Sequence, residues 1–520
     1  MAFPRRAWLL PVVAAMLALL VTVPTIWSKP DTLYPVQVDS AEYDRVGRGL
    51  ARLIHDLPSV VPKIVGGHFT DADRTRYEMN GWILQHAASY LTLLGGTYAA
   101  SGGSEAAGRL LTALLFAGAS ALVVGWTRRR FGVVPALILL PLFVVWPAHV
   151  YFATAIMTEV PMLFFAGAVI VALDDGFGRR LPVGGAALAL LLLTKTSWQA
   201  VAVPVLILDL WAHRPPSVGA AVRHLLGRAV GLGLVLGIWN GFLLAAGVPL
   251  NPLAERGDRE MWLFRGNYVE DRGFETVGTG DVIHPELVQA IEEHPDAVGE
   301  ERSKAVYRSA FLHTIAQEPV RWVALVTAKV RWYAVYPALK EDVRTWFGWL
   351  PPPAHWQPIL IGLALLGFAA SIRLGPRAWM PALLAVYLCG VHAFSHLVSR
   401  YNLPAIGLLL PYAAYGATCL VRAAAGVSRT SRMSNFAWTR RPLAIALLVA
   451  LTSVALARIA GRMFSYAGAS GSKPGMVWRR CSGSSPWRLG AYRVGSGYAT
   501  SGGRVGVGSP PSVCCSASPP

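Results

Sequence analysis

Residues 128–180 read RRRFGVVPALILLPLFVVWPAHVYFATAIMTEVPMLFFAGAVIVALDDGFGRR. Two apolar runs, Val133 to Tyr151 and Val160 to Leu173, lie between the Arg128-Arg129-Arg130 cluster and the Arg179-Arg180 pair. The one carboxylate between Arg130 and Asp174 is Glu159. At 1.5 Å per residue about twenty residues cross a ~30 Å hydrocarbon core, so such runs read as transmembrane helices, the shorter ones tilted. Arginine clusters at both outer ends of the pair mark the cytoplasmic side, which puts Glu159 on the opposite surface.

The pattern extends both ways. Further apolar runs lie at Ala7 to Trp27, Gly108 to Trp126, Leu181 to Thr194, Ala200 to Ala212, Ala229 to Leu250, Ile359 to Ile372, Trp379 to Leu397, Leu403 to Leu420 and Leu443 to Ala460. The sequence therefore predicts an all-α polytopic membrane protein with about eleven transmembrane helices and two long extracytoplasmic loops, about 28–105 and 251–357. The first run follows Arg5-Arg6 and is long enough to span, and Ser28-Lys29-Pro30 is a weak cleavage site, so it reads as a retained signal anchor with its N-terminus inside. Alternate connections then fall inside, and these hold the Arg128, Arg179, Arg214 to Arg228, Arg373 with Arg377, and Arg422 to Arg441 groups. Twenty-six of the 29 carboxylates fall on the predicted outer side, leaving Asp174, Asp175 and Asp209 near the inner face.

Composition agrees. The chain of 520 residues is 54% hydrophobic and 15% charged, with mean hydropathy +0.44, too apolar for a solvated exterior. Its net charge of +18 comes from the short Arg clusters between spans, so nucleic acid is not expected as a partner. Five cysteines show no metal-ligand spacing. Within the loops, Gly81 to Tyr98 and Pro319 to Pro337 carry Trp, Tyr and Arg flanks and read as interfacial helices, with a span as the alternative for the second. Residues 1–465 form one membrane domain, and residues 466–520, rich in Gly, Ser, Pro and Arg, are expected to be a disordered tail.

Four places carry chemistry at the outer surface. An ionisable group near lipid is expensive to desolvate, so each is a functional candidate. Asp39-Ser40-Ala41-Glu42-Tyr43 follows the first span; its D-x-x-E spacing also fits a capping box, the plainer reading. Glu159 either lines a site or complements a helix dipole. Lys195 sits in a tight turn and either grips a phosphate or snorkels to headgroups. Arg400 and Tyr401 lie before a late span, where an Arg can hold a phosphate bidentately and a Tyr can anchor at the interface. Two acids and two bases on one face suit a lipid phosphate and a hydroxyl awaiting deprotonation, which is group transfer from a lipid carrier.

The order of these motifs over residues 7–420 resembles the GT-C superfamily of polyprenyl-phosphate-sugar glycosyltransferases, particularly the bacterial relatives of protein O-mannosyltransferases and aminoarabinose transferases. The resemblance is carried by Asp39 to Tyr43, Ala106-Ala107-Gly108-Arg109-Leu110, Met157 to Pro161, Thr194-Lys195 and Ser399 to Pro404. It implies that Asp39 acts as general base or positions the acceptor, with Glu42 assisting. It implies further that Lys195 and Arg400, and more weakly Arg109, hold the donor phosphate, with Glu159 positioning sugar or acceptor and the anomer inverted. The implied partners are a polyprenyl-phosphate-linked sugar, a protein, lipid or glycan acceptor, and membrane lipid. No nucleotide is implied and no cofactor is certain. This chain has Asp39-Ser40 where many relatives carry adjacent acids, and Asn80 to His86 where they carry a His/Pro-rich stretch, which leaves the acceptor class and a divalent cation open. The expected place is the cell membrane, multi-pass, with the site extracytoplasmic. A transporter or flippase of lipid-linked sugars is the competing class; it predicts ionisable groups at mid-span and related halves, whereas the candidates lie at span ends. A membrane scaffold without chemistry is the third reading.

Overall fold

A computed structural model of the chain describes residues 8–28, 38–79, 87–174, 181–248, 263, 289, 292–294, 299–335, 353–395 and 399–424. The chain divides into two units, Met1–Arg462 and Met463–Pro520, and every described residue belongs to the first. The expected span Leu443 to Ala460, the stretch Asn80 to His86 and the expected tail lie outside the described residues. Among the described residues there are helices and turns and no strand.

In chain order the helices are α1 Leu9–Ser28, α2 Val38–His55, α3 Leu57–Val65, α4 Asp71–Arg76, α5 Ala88–Ser101, α6 Glu105–Phe131, α7 Val133–Val144, α8 Pro147–Ala153 and α9 Glu159–Asp174. They continue as α10 Leu181–Leu192, α11 Ala202–His213, α12 Val218–Ala245, α13 Gly299–Gln317, α14 Pro319–Val335, α15 Pro353–Ser371, α16 Met380–Phe394 and α17 Asn402–Ala424. The expected spans within the described residues coincide with helices, except Val133 to Tyr151. Among the described residues five stretches are long and apolar enough to cross a membrane: Leu9–Trp27, Glu105–Phe131, Val218–Ala245, Gln357–Leu374 and Asn402–Ala424. The expected span Val133 to Tyr151 is instead a pair, α7 and α8, bent by 58°. Pro147 explains the break, because its ring excludes the helical conformation at Trp146 and it has no N–H to donate. The remaining runs, α9, α10, α11 and α16, have 12 to 16 residues, about 18–24 Å of helix against a ~30 Å core.

Helix α6 shows how the sequence sets its ends. Ser104 caps it by accepting from Ala107 N, Glu105 occupies the first turn, and Arg128, Arg129 and Arg130 fill the last, each sign opposing the dipole it meets. It packs between α1 and α9, with Phe116, Val124 and Trp126 fully buried. Lipid gives no hydrophobic drive for helices to associate, so contact depends on close approach. Glycine supplies it where α10 meets α12 and where α15 meets α17. A Cβ on Gly231 would fall 1.8 Å from Pro182 O, and one on Gly367 would fall 1.9 Å from Tyr412 O.

Two of the three inner acids lie among the described residues, and both are paired. Asp174, at the unfavourable C-terminal end of α9, meets Arg130 and, at 3.9 Å, Arg129. Asp209 on α11 accepts from His224 Nε2 at 2.6 Å and from Arg228 Nε at 3.0 Å, both on α12, while Arg228 Nη1 donates to Leu181 O at 3.1 Å. The opposite face of α12 exposes Val222, Leu226, Val230, Leu234 and Ile238, an i, i+4 stripe suited to lipid.

On the other side α2 to α5 form a helical cap. Asp44 accepts from Arg48 Nε at 2.8 Å and from the Tyr98 hydroxyl, Lys63 pairs with Asp73 at 2.9 Å, and Arg74 Nη1 donates to Ala246 O at 3.0 Å, fastening the cap to the end of α12. The capping box of this region is Thr70 with Asp73. It is not Asp39 with Glu42: Asp39 lies inside the first turn of α2 and its carboxylate is engaged elsewhere.

Candidate functional site

Four helix starts or turns bring the site together. Asp39 comes from the first turn of α2, Glu159 opens α9, Lys195 precedes the 3-10 turn Thr196–Val201, and Arg400 and Tyr401 form the 3-10 turn before α17. The Lys195 turn is anchored from both sides. Ser89 N on α5 donates to Leu193 O at 3.1 Å, and the Ser89 and Thr194 hydroxyls share a hydrogen bond of 2.8 Å.

Arg400 is the centre of the group. Its Nη2 pairs with Asp39 Oδ2, 361 residues away in sequence, and its Nε lies 3.1 Å from Glu159 Oε1 at an angle that makes an ion pair without a hydrogen bond. Glu159 is 1% exposed, and neither of its carboxylate oxygens accepts a hydrogen bond among the described residues. Two unit charges 3–4 Å apart attract by about 4–5 kcal/mol at an effective dielectric of 20, so Arg400 is what holds this acid in place. The acid in turn retains acceptor capacity for a ligand.

Lys195 is 5% exposed and its ammonium sits 3.6 Å from the centroid of the Tyr401 ring. Snorkelling to headgroups is excluded by that burial. Arg400, Lys195, Asp39 and Glu159 carry charges that sum to zero.

Tyr43, one residue beyond Glu42, is buried and packs edge-on against Tyr90 at 6.2 Å. Burial, and then the Glu159 and Asp39 carboxylates, push its phenol well above the ordinary range, so it stays a hydrogen-bond donor beside the two acids. Glu42 lies one turn along α2 from Asp39; burial raises its carboxyl, Arg45 opposes the shift and Asp39 adds to it. Arg109 is held by Glu105 at 3.0 Å through Nε and 2.5 Å through Nη2, a turn away on α6. Tyr43 belonged to a quoted motif, but nothing in the sequence marked its hydroxyl as the one beside both acids.

A divalent cation does not fit either acidic group as it stands. Asp39 and Glu159 both face the Arg400 guanidinium, which fills the place a shared cation would take. The ligand atoms of Asp209, His213 and His224 lie within 4.8 Å of one another, yet Arg228 already occupies that carboxylate.

These features define a helical protein of membrane-spanning type with a buried, charge-balanced polar site where four segments meet. No family model and no curated protein matches the chain. Among solved structures it is similar to the archaeal oligosaccharyltransferase AglB from Archaeoglobus fulgidus, determined in complex with an inhibitory peptide and a dolichol-phosphate, at 14% identity and a TM-score of 0.44. The match covers 88% of this chain and 55% of that one, so the chain spans about half the length of that protein.

Proposed function

We propose that the chain is a membrane glycosyltransferase that moves a sugar from a polyprenyl-phosphate donor to an acceptor hydroxyl on the extracytoplasmic side of the cell membrane. The observation that carries this reading is Lys195: a buried ammonium resting on the ring of Tyr401, the same ring that Arg400 approaches at 5.4 Å, while Asp39 and Glu159 pair with Arg400. Asp39 and Glu159 both pair with Arg400, which leaves the Lys195 ammonium against an aromatic face, and a phosphate supplies an anion for it to meet. An adjacent carboxylate at the outer rim supplies the base.

In the proposed step the acceptor oxygen attacks the anomeric carbon and its proton passes to Asp39. The bond from that carbon to the phosphate oxygen breaks, and the lipid phosphate leaves with the electron pair, stabilised by Lys195 and Arg400. Attack opposite the leaving group inverts the anomer. Glu159 accepts hydroxyls of the sugar or acceptor, and Glu42 and Tyr43 support the acid side. The sidedness rests on the Arg clusters between the spans, which mark the opposite surface as cytoplasmic.

The test is transfer itself. Purified protein incubated with radiolabelled polyprenyl-phosphate sugars and envelope protein, lipid or glycan acceptors is expected to move label, and Asp39→Asn to lose about 10²–10⁴-fold of the rate. Failure to consume any donor refutes the enzyme reading. Undiminished transfer by Asp39→Asn removes Asp39 from the role of base.

A further inference from the structure

We propose that His392 is a positioning residue for the donor-phosphate lysine, acting through a four-member column Lys195, Tyr401, His392, Tyr333 that ties the outer helix α14 to the site. The inference rests on the reading of Lys195 as a phosphate ligand. His392 on α16 is buried, and its ring stacks on Tyr401 at 4.6 Å with an interplanar angle of 28°. The ring of Tyr333, from the end of α14, stacks on His392 at 5.9 Å and 19°. Lys195 Nζ lies 3.6 Å from the Tyr401 centroid, so it takes the face that the imidazole does not, since the two would overlap on one side.

The column is fixed at its far end by the backbone. The Tyr333 hydroxyl donates to Tyr401 O at 2.7 Å, and Asn402 Nδ2 donates to Tyr333 O at 3.1 Å. Lys329 Nζ donates to Ser395 O at 2.7 Å, so with the Tyr333 bond the C-terminal half of α14 is docked on the segments that carry His392 and Tyr401, and Gln357 Nε2 on α15 donates to Ala334 O at 2.9 Å. A ring held on one face is a fixed platform on the other. Tyr401 thus presents its electron-rich face to the ammonium in one orientation, and the ammonium reaches the phosphate from one place. His392 touches no reacting atom and acts only through Tyr401.

The column predicts a specific pattern in binding of undecaprenyl monophosphate to the full chain in phosphatidylcholine nanodiscs. The parent binds; Lys195→Met abolishes binding; His392→Ala weakens it about three- to tenfold, as expected for one lost aromatic stack; and His392→Phe, which keeps the stack, restores it to within about twofold. Absence of binding by the parent would sink the phosphate reading and the column with it. Loss with Lys195→Met but parent-like binding by His392→Ala would overturn the column alone. Equal weakening by His392→Ala and His392→Phe, with a matching fall in thermal midpoint, would show that His392 serves only the fold.

Discussion

Replacing Arg400 with Met isolates the energetics of the site. The guanidinium sits beside Glu159, a carboxylate 1% exposed with no hydrogen bond to either oxygen among the described residues, so its removal strands a buried charge. Breaking a buried pair from one side costs about 3–5 kcal/mol. Asp39, the other partner, has 35% of its side chain exposed and regains water, so it adds little. Glu159→Gln alone keeps the Arg400–Asp39 pair and is expected to cost only about 1–3 kcal/mol. Arg400→Met with Glu159→Gln removes the stranded charge and should recover at least ~2 kcal/mol of the single Arg400→Met loss. The assay is reversible SDS titration of bicelle-reconstituted protein, read by tryptophan fluorescence. If the double variant is no more stable than Arg400→Met, Glu159 is not the acid that Arg400 holds and the charge-balanced site is misread.

Gly231→Leu places a Cβ where the gap to Pro182 O is 1.8 Å, and should lower stability by at least the 1–3 kcal/mol of an overpacked core, measured in the same titration, whereas Gly233→Leu, which meets nothing within 4 Å, should be close to neutral. Glu42, whose carboxyl is raised above its ordinary value of 4.5 chiefly by burial, binds its proton more tightly folded than unfolded. Its contribution therefore falls as pH rises from about 4.5 through the raised value, and Glu42→Gln should flatten that part of a stability profile. A cysteine at Val65, which is 82% exposed in the cap, introduced into a cysteine-free background, should react with an impermeant maleimide only from the extracytoplasmic side. Labelling only from the cytoplasm would reverse the sidedness.

Hydropathy was enough for the helices, because lipid selects on apolar length and each run's residues report on themselves. Hydropathy did not carry the bend: Val133 to Tyr151 reads as one run, and the break falls at Pro147. The short runs are short helices: Glu159–Asp174 and Ala202–His213 nearly match their apolar stretches, while Met380–Phe394 stops short of the apolar run that reads on to Leu397. In the site, residue types were legible and pairings were not. Asp39 and Arg400 meet across almost the whole described chain, and no local spacing encodes that contact. The D-x-x-E pattern at Asp39 pointed to a cap, but the carboxylate went to the stronger partner. Arg109 had the right chemistry and was taken by its own helix neighbour, Glu105. His392 and Tyr333 passed as ordinary members of an apolar span and an interfacial helix. The one available signal for His392 was an ionisable ring within a predicted span.

The Asp209 and Arg228 contact between α11 and α12 bears on how the chain enters the bilayer. A charge opposes entry of its own helix by up to about 2.5–3.5 kcal/mol at the bilayer centre, and by less toward the inner face, where the charge pattern puts Asp209 and Arg228. The two helices are joined by the short link Arg214 to Ser217, and His224 and Arg228 meet Asp209 across that hairpin. Each helix therefore carries the group that neutralises the other's charge. Partitioned one at a time, each helix carries an unpaired charge toward the inner face; partitioned as a closed hairpin, the carboxylate and guanidinium neutralise each other. The order of synthesis and the order of membrane entry are then different things for this pair, with α11 expected to wait for α12 before leaving the translocation machinery.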